Sequence, residues 1–81
     1  MTAHPPLAPG EARRLVEVLD ALPALVHTRR WSLRLTCREV AEQVRVGGRP
    51  VSQATVSRCE AGAPLSGPVL RAFLLWLGNE S

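Results

Sequence analysis

Side chains suited to reading the edges of nucleic-acid bases are concentrated in one short stretch. Ser52, Gln53, Ala54, Thr55, Ser57 and Arg58 share a segment with Val51, Val56 and Cys59. Wound as a helix, the segment turns its small and hydrogen-bonding groups to one face and its apolar groups to the other. Gln pairs bidentately with adenine and Arg with guanine, while Ala or a Thr methyl touches the thymine methyl, so such a face suits the major groove. A surface helix with a polar first turn has the same composition. Other chemistries find less support. Cys37 and Cys59, with only His4 and His27 beside them in the inventory, do not form a zinc-ligand spacing. They are expected to be reduced, buried and apolar in character. There are no paired catalytic carboxylates, no phosphate-binding glycine loop and no Ser/His/Asp set, and His27 has no evident activating neighbour in the sequence. Neither catalysis nor a metal, cofactor or small-molecule ligand is expected.

The charges point the same way. All ten basic residues are Arg, against seven acidic ones, for a net charge of +3. A GC-rich coding bias accounts for Arg over Lys but not for where the charges sit. Between His27 and Arg58 lie Arg29, Arg30, Arg34, Arg38, Arg45, Arg49 and Arg58 against Glu39 and Glu42, a local excess of five. A one-sided excess of this kind is an electrostatic footprint for a polyanion, the alternative being a solvated basic face.

The elements that must position these groups follow from periodicity and punctuation. Eighty-one residues make one domain, since domains run to about 100–200 residues. A domain this small is marginal alone, and a dimer would help. Residues 1–9, with Pro5, Pro6 and Pro9, read as a flexible arm, and residues 10–79 as the folded domain. Leu15, Val18, Leu19, Leu22, Leu25 and Val26 recur at helical steps from Gly10 on. Pro23 predicts a break or kink between Leu22 and Ala24, followed by a short helix over Ala24 to Arg30. Trp31, Leu33 and Leu35 read as a connector. Thr36 with Glu39 three residues on forms a capping-box pattern, opening a helix whose inward stripe is Cys37, Val40, Ala41 and Val44 and which fades near Arg45 or Val46. Gly47, Gly48, Arg49 and Pro50 interrupt; Ser52 caps a helix to about Ala61, stopped by Gly62; Ser66 caps a last helix with Pro68 in its first turn, ending at Gly78. The expected fold is all-α, a small bundle of about five helices.

The run Leu35-Thr36-Cys37-Arg38-Glu39-Val40-Ala41-Glu42-Gln43-Val44, followed by Val51-Ser52-Gln53-Ala54-Thr55-Val56-Ser57-Arg58-Cys59-Glu60-Ala61-Gly62, resembles the Cro/repressor-type helix-turn-helix family over about half the chain. The resemblance implies a helix-turn-helix with Ala41 at the helix crossing and base reading by Gln53, Ala54, Ser57 and Arg58. It also implies that Ser52 and Thr55 cap the second helix or hold phosphates, and that Glu60 partners a nearby Arg. The chain departs from the family in the nine residues between Ala41 and Val51. Either the first helix is longer or the turn expands into a Gly47-Gly48 loop. Arg45 and Arg49 in that segment then either contact phosphates, which position a protein without reading sequence, or sit on a flexible loop that touches nothing; Arg38 is a further expected phosphate contact.

The last helix, with Val69, Leu70, Ala72, Phe73, Leu74, Leu75, Trp76 and Leu77, is apolar around most of its circumference, Arg71 being its single charge. One face packs within the bundle. The other is expected either at a homodimer interface through Leu74, Leu75 and Trp76, or against the first helix or the arm. The expected function is a sequence-specific transcriptional regulator, a repressor of phage Cro or antitoxin type, that occupies a palindromic operator in double-stranded DNA as a homodimer. The alternative is a protein-interaction module, an antitoxin or phage host-factor binder using the apolar last helix. No run is apolar and long enough to span a bilayer, and the first residues lack a signal-type pattern, so a cytoplasmic location is expected.

Overall fold

The computed structural model describes residues 5–78. Four helices carry the chain: α1 (Pro9–Ser32), α2 (Cys37–Gln43), α3 (Gln53–Glu60) and α4 (Gly67–Gly78). Between α2 and α3 two short strands, β1 (Arg45–Val46) and β2 (Arg49–Pro50), pair antiparallel with Arg45 opposite Pro50 and Val46 opposite Arg49. The fold is mostly helical, as expected, with four helices in place of about five.

The missing break is at Pro23. α1 runs through it for 24 residues. A proline removes one intrahelical hydrogen bond and crowds the preceding turn, but Leu22 and Val26, one turn apart on either side, are both buried and fasten the two halves to the same core. The helix also begins one residue earlier than the glycine, with Pro9 in its first turn, where its missing amide costs nothing. Within the expected arm, residues 5–8 carry no regular structure and residues 1–4 lie outside the described range.

The segment between Ala41 and Val51 resolves as an expanded turn. α2 stops at Gln43, and the chain forms a hairpin whose two-residue loop, Gly47 and Gly48, has φ of 58° and 80°. Positive φ at both central residues is what the tight hairpin turns matching strand twist require, and glycine alone adopts it freely. The amide of Val51 donates to the carbonyl of Val44 at 2.9 Å, so the hairpin pins the start of α3 to the end of α2.

α2 opens with the expected capping box. The Glu39 amide donates to Thr36 Oγ1 at 3.1 Å, and the Thr36 amide donates to Glu39 Oε1 at 2.9 Å, which satisfies two amides left over at a helix start. α1 and α3 end alike. In α3 the Ala63 amide reaches the Arg58 carbonyl and Gly62 reaches Cys59, with Gly62 at φ 79°; in α1 Leu35 reaches Arg30 and Arg34 reaches Trp31, with Arg34 at φ 56°. Both are Schellman caps, and only the second puts a side chain where glycine belongs.

The core is a single cluster: Leu22 and Val26 of α1, Val40 and Ala41 of α2 with Val44 just after it, Val56 and Cys59 of α3, and Ala72, Phe73 and Trp76 of α4. Trp76 is a correction to the expected interface. It is 8% exposed, and its indole Nε1 donates to Gln43 Oε1 at 3.0 Å, because the indole fills the gap over α2 while its one donor finds a partner at the edge. Leu74 and Leu75 are exposed.

Two stability changes follow. Phe73→Ala, at a fully buried position, is expected to lower the unfolding free energy by about 3–5 kcal/mol. Arg34→Gly is expected to raise it by about 1 kcal/mol, since a left-handed backbone costs a residue with Cβ roughly that much. Urea titrations of both variants beside the parent check the two signs.

Candidate nucleic-acid interface

The surface of interest is built on α3. Ser52 precedes it with extended backbone, and its Oγ accepts from the Thr55 amide at 3.2 Å. The Ser52 and Thr55 hydroxyls also bond each other at 2.9 Å. Both residues therefore serve the cap that gave α3 its start. Beyond the cap, Val56 and Cys59 are buried while Gln53, Ala54, Ser57 and Arg58 are all exposed. The predicted base-reading residues thus lie on the solvent side of a helix whose other side is locked into the core.

What holds α3 in place is its last residue. Glu60 Oε2 accepts from Arg30 Nε at 2.8 Å and Oε1 accepts from Arg30 Nη2 at 2.9 Å, a two-point pair. His27 Nδ1 lies 2.6 Å from Oε1, and the Cys37 thiol donates to Oε2 at 3.7 Å. Arg30 further donates through Nη1 to the Leu35 carbonyl at 3.3 Å. One carboxylate thereby joins α1, the first residue of α2 and α3. Its side chain is 11% exposed. The Arg30 hydrogen bonds hold the Glu60 carboxyl below its ordinary range against the opposing effect of burial, with His27 adding to the lowering. Arg30 in turn is raised, first through its hydrogen bond to Glu60. At the carbonyl end of α3 a carboxylate faces the negative end of the helix dipole, so the Arg30 guanidinium is what makes Glu60 tolerable there.

This cluster changes two expectations. His27 does have a carboxylate neighbour. That carboxylate is shared with Arg30, and Cys37 donates to it rather than to the imidazole, so the group is a structural clamp and contains no imidazole-activated thiol. The basic excess is also smaller than counted, because Arg30 is committed to Glu60: with Glu60 included, the excess over this segment is four. Arg34, Arg38, Arg49 and Arg58 are exposed. Arg45 is exposed too, but its Nη1 donates to the Gly48 carbonyl at 3.2 Å, and it lines a shallow groove of about 340 Å³ with Arg71 and Leu75. The structure therefore sets Arg45 beside α4.

A second groove, of about 610 Å³, adjoins the start of α3. Trp31, Arg34 and Thr36 line it opposite Gln53. Trp31 is 65% exposed, with the Arg30 guanidinium carbon 5.9 Å from its ring centroid. Sequence periodicity made Trp31 a connector residue; its place beside Gln53 depends on the left-handed turn at Arg34, which no pattern announces.

Cys59, buried behind Val56, has its thiol pushed up to about 11 by burial first and by the Glu60 charge second. It is a filler of the core. Among the described residues no three His, Cys, Asp or Glu side chains gather into a possible metal site, and no helix is long and apolar enough to cross a membrane.

Acid stability reports on the clamp. The folded pKa of Glu60 lies below the ordinary value of 4.5, so its contribution is fully present above that pH and is lost as the pH falls through the folded value. Glu60→Gln is expected to be less stable than the parent at pH 7, with the gap closing toward pH 2. Thermal unfolding followed across that range measures it; a gap independent of pH would assign the stabilisation elsewhere.

Compared with protein families, with curated proteins and with solved structures, the chain finds no match.

Proposed function

We propose that the chain is a sequence-specific DNA-binding regulator in which α2, the hairpin and α3 act as a helix-turn-helix. The observation that carries this reading is the outward face of α3: Gln53, Ala54, Ser57 and Arg58 all exposed on a helix anchored by Val56, Cys59 and Glu60. Eight residues make a rod about 12 Å long, which fits a major groove about 12 Å wide. In this reading Gln53 and Arg58 supply the bidentate contacts, and Ala54 and Ser57 allow close approach. The exposed Arg38 and Arg49 hold phosphates and set the register. Ser52 and Thr55 act through the cap, and Arg45 lies at the margin.

Regulation is by occupancy. A protein seated on an operator that overlaps a promoter excludes polymerase, and two copies would read the halves of a palindrome about one helical turn apart. The setting is the cytoplasm of a bacterial or phage-infected cell, where the two free cysteines stay reduced.

Selection of bound sequences from a random duplex pool identifies the operator, and gel shifts on it test the residues. Gln53→Ala and Arg58→Ala are expected to weaken specific binding by about 1–3 kcal/mol each and to relax preference at one base position. Arg49→Ala is expected to weaken all sequences alike and to flatten the dependence of affinity on salt. If the pool shows no enrichment and neither Gln53→Ala nor Arg58→Ala alters retention, the groove assignment fails.

A further inference from the structure

The same cap closes two helices of this chain with different residues. At the end of α3 the left-handed position is held by Gly62, and at the end of α1 by Arg34, at φ 56°. A residue with a Cβ is strained there. The cap itself does not ask for one: its hydrogen bonds, from Leu35 to Arg30 and from Arg34 to Trp31, join backbone atoms that glycine supplies equally well. Nor does the side chain serve the fold. Arg34 is exposed, and its guanidinium has no hydrogen bond or ion pair among the described residues. Strain kept where glycine would relieve it points to a use for the side chain.

Trp31 stands beside it and is likewise unused by the core. It is 65% exposed, more than any other large apolar side chain described. Its ring is nonetheless flanked, by the Arg30 guanidinium carbon at 5.9 Å and by the His27 ring at 5.9 Å between centroids. Both flanking groups are bonded to Glu60, so the clamp that fixes α3 also steadies the indole. An exposed aromatic whose orientation is set in advance loses little freedom on binding.

The two side chains share the groove of about 610 Å³ whose far wall is Gln53, the first residue of α3. Two carboxylates are bonded to residues of this groove, Glu60 to Arg30 and Glu39 to the Thr36 amide, and neither lines it. With Arg30 committed to Glu60, the charge left in the groove is that of Arg34. A helix seated in a major groove has a sugar–phosphate strand on either side, so a surface continuing past its first residue faces one of them. We propose that Arg34 binds a phosphate of that strand and that Trp31 packs its ring on the adjoining deoxyribose, a contact that fixes where the start of α3 sits in the groove. Trp31 and Arg34 are then positioning residues, separate from Arg38 and Arg49. The inference rests on the DNA-binding reading and adds to it the flank on which α3 enters.

Fluorescence and gel shifts of the full chain test it. The chain has two tryptophans and no tyrosine, and Trp76 is buried, so acrylamide quenching reports on Trp31. On binding a duplex enriched from the random pool, quenching of the parent is expected to fall close to that of Trp31→Phe, in which only Trp76 emits. Arg34→Gly is expected to bind this duplex less tightly while unfolding at higher urea, opposite directions that a purely structural role does not produce. Its salt dependence is expected to flatten by about 0.9 in slope, the share of one phosphate, and Arg34→Lys to restore it. Trp31→Ala is expected to weaken binding about fivefold with the slope unchanged. If Trp31 stays as open to acrylamide on the duplex as off it, or Arg34→Gly keeps the parent's affinity and slope, the proposal is overturned. Loss of selectivity in Gln53→Ala and Arg58→Ala would in that case leave the groove assignment standing, whereas a pool without enrichment overturns both.

Discussion

The carboxylate of Glu60 is the interaction on which the rest of this small structure turns. A short helix such as α3 has only Val56 and Cys59 to bury, and two side chains fix its depth in the core better than its rotation or its slide. The two-point pair with Arg30, reinforced by His27 and Cys37, supplies the missing directions. Buried ion pairs contribute little net stability once desolvation is counted, but they are exacting about geometry. Here the geometry concerned is the pose of the face that carries Gln53, Ser57 and Arg58.

The same arginine disciplines the turn before α2. Arg30 also donates to the Leu35 carbonyl, inside the cap where Arg34 takes a left-handed backbone. A strained residue persists only where its surroundings overdetermine it, and the surroundings are on both sides: the Arg30 contact upstream and the Thr36–Glu39 capping box downstream. The result is a sharp corner that carries Trp31 and Arg34 to the edge of the groove at Gln53. On the opposite flank of α3, the hairpin and its two positive-φ glycines hold the entry of the helix. α3 is therefore constrained at its start by a hairpin and at its end by a salt bridge, and is free of both over its exposed middle.

The molecule divides its apolar surface unevenly. The buried apolar side chains all lie from Leu22 onward and form one core, whereas the first half of α1 offers its leucines and valines to solvent. A chain of this size has a high ratio of surface to volume and a core with little margin.

Much of the local architecture is legible in the residues themselves. The caps at Thr36 and Ser52, the stop at Gly62 and the inward stripes of α2, α3 and α4 depend on contacts within four residues or on periodicity, and a linear text records both. The exposed set on α3 is legible for much the same reason: once Val56 and Cys59 are inward, the 3.6-residue period places Ala54, Ser57 and Arg58 outward, while Gln53, one i,i+3 step before Val56, is exposed as the first residue of the helix. The tertiary structure decided what depends on partners distant in the chain. Pro23 stayed inside a helix because Leu22 and Val26 met one core. Trp76 turned inward because Gln43 was there to accept its proton, and the expanded turn became a hairpin because Val44 and Val51 came within hydrogen-bonding reach. Arg30 ceased to be part of a basic surface because Glu60, thirty residues on, took its charge. Composition alone could count those charges, but only the fold could pair them, since Coulomb attraction acts through space and Arg30 and Glu60 lie thirty residues apart in the chain.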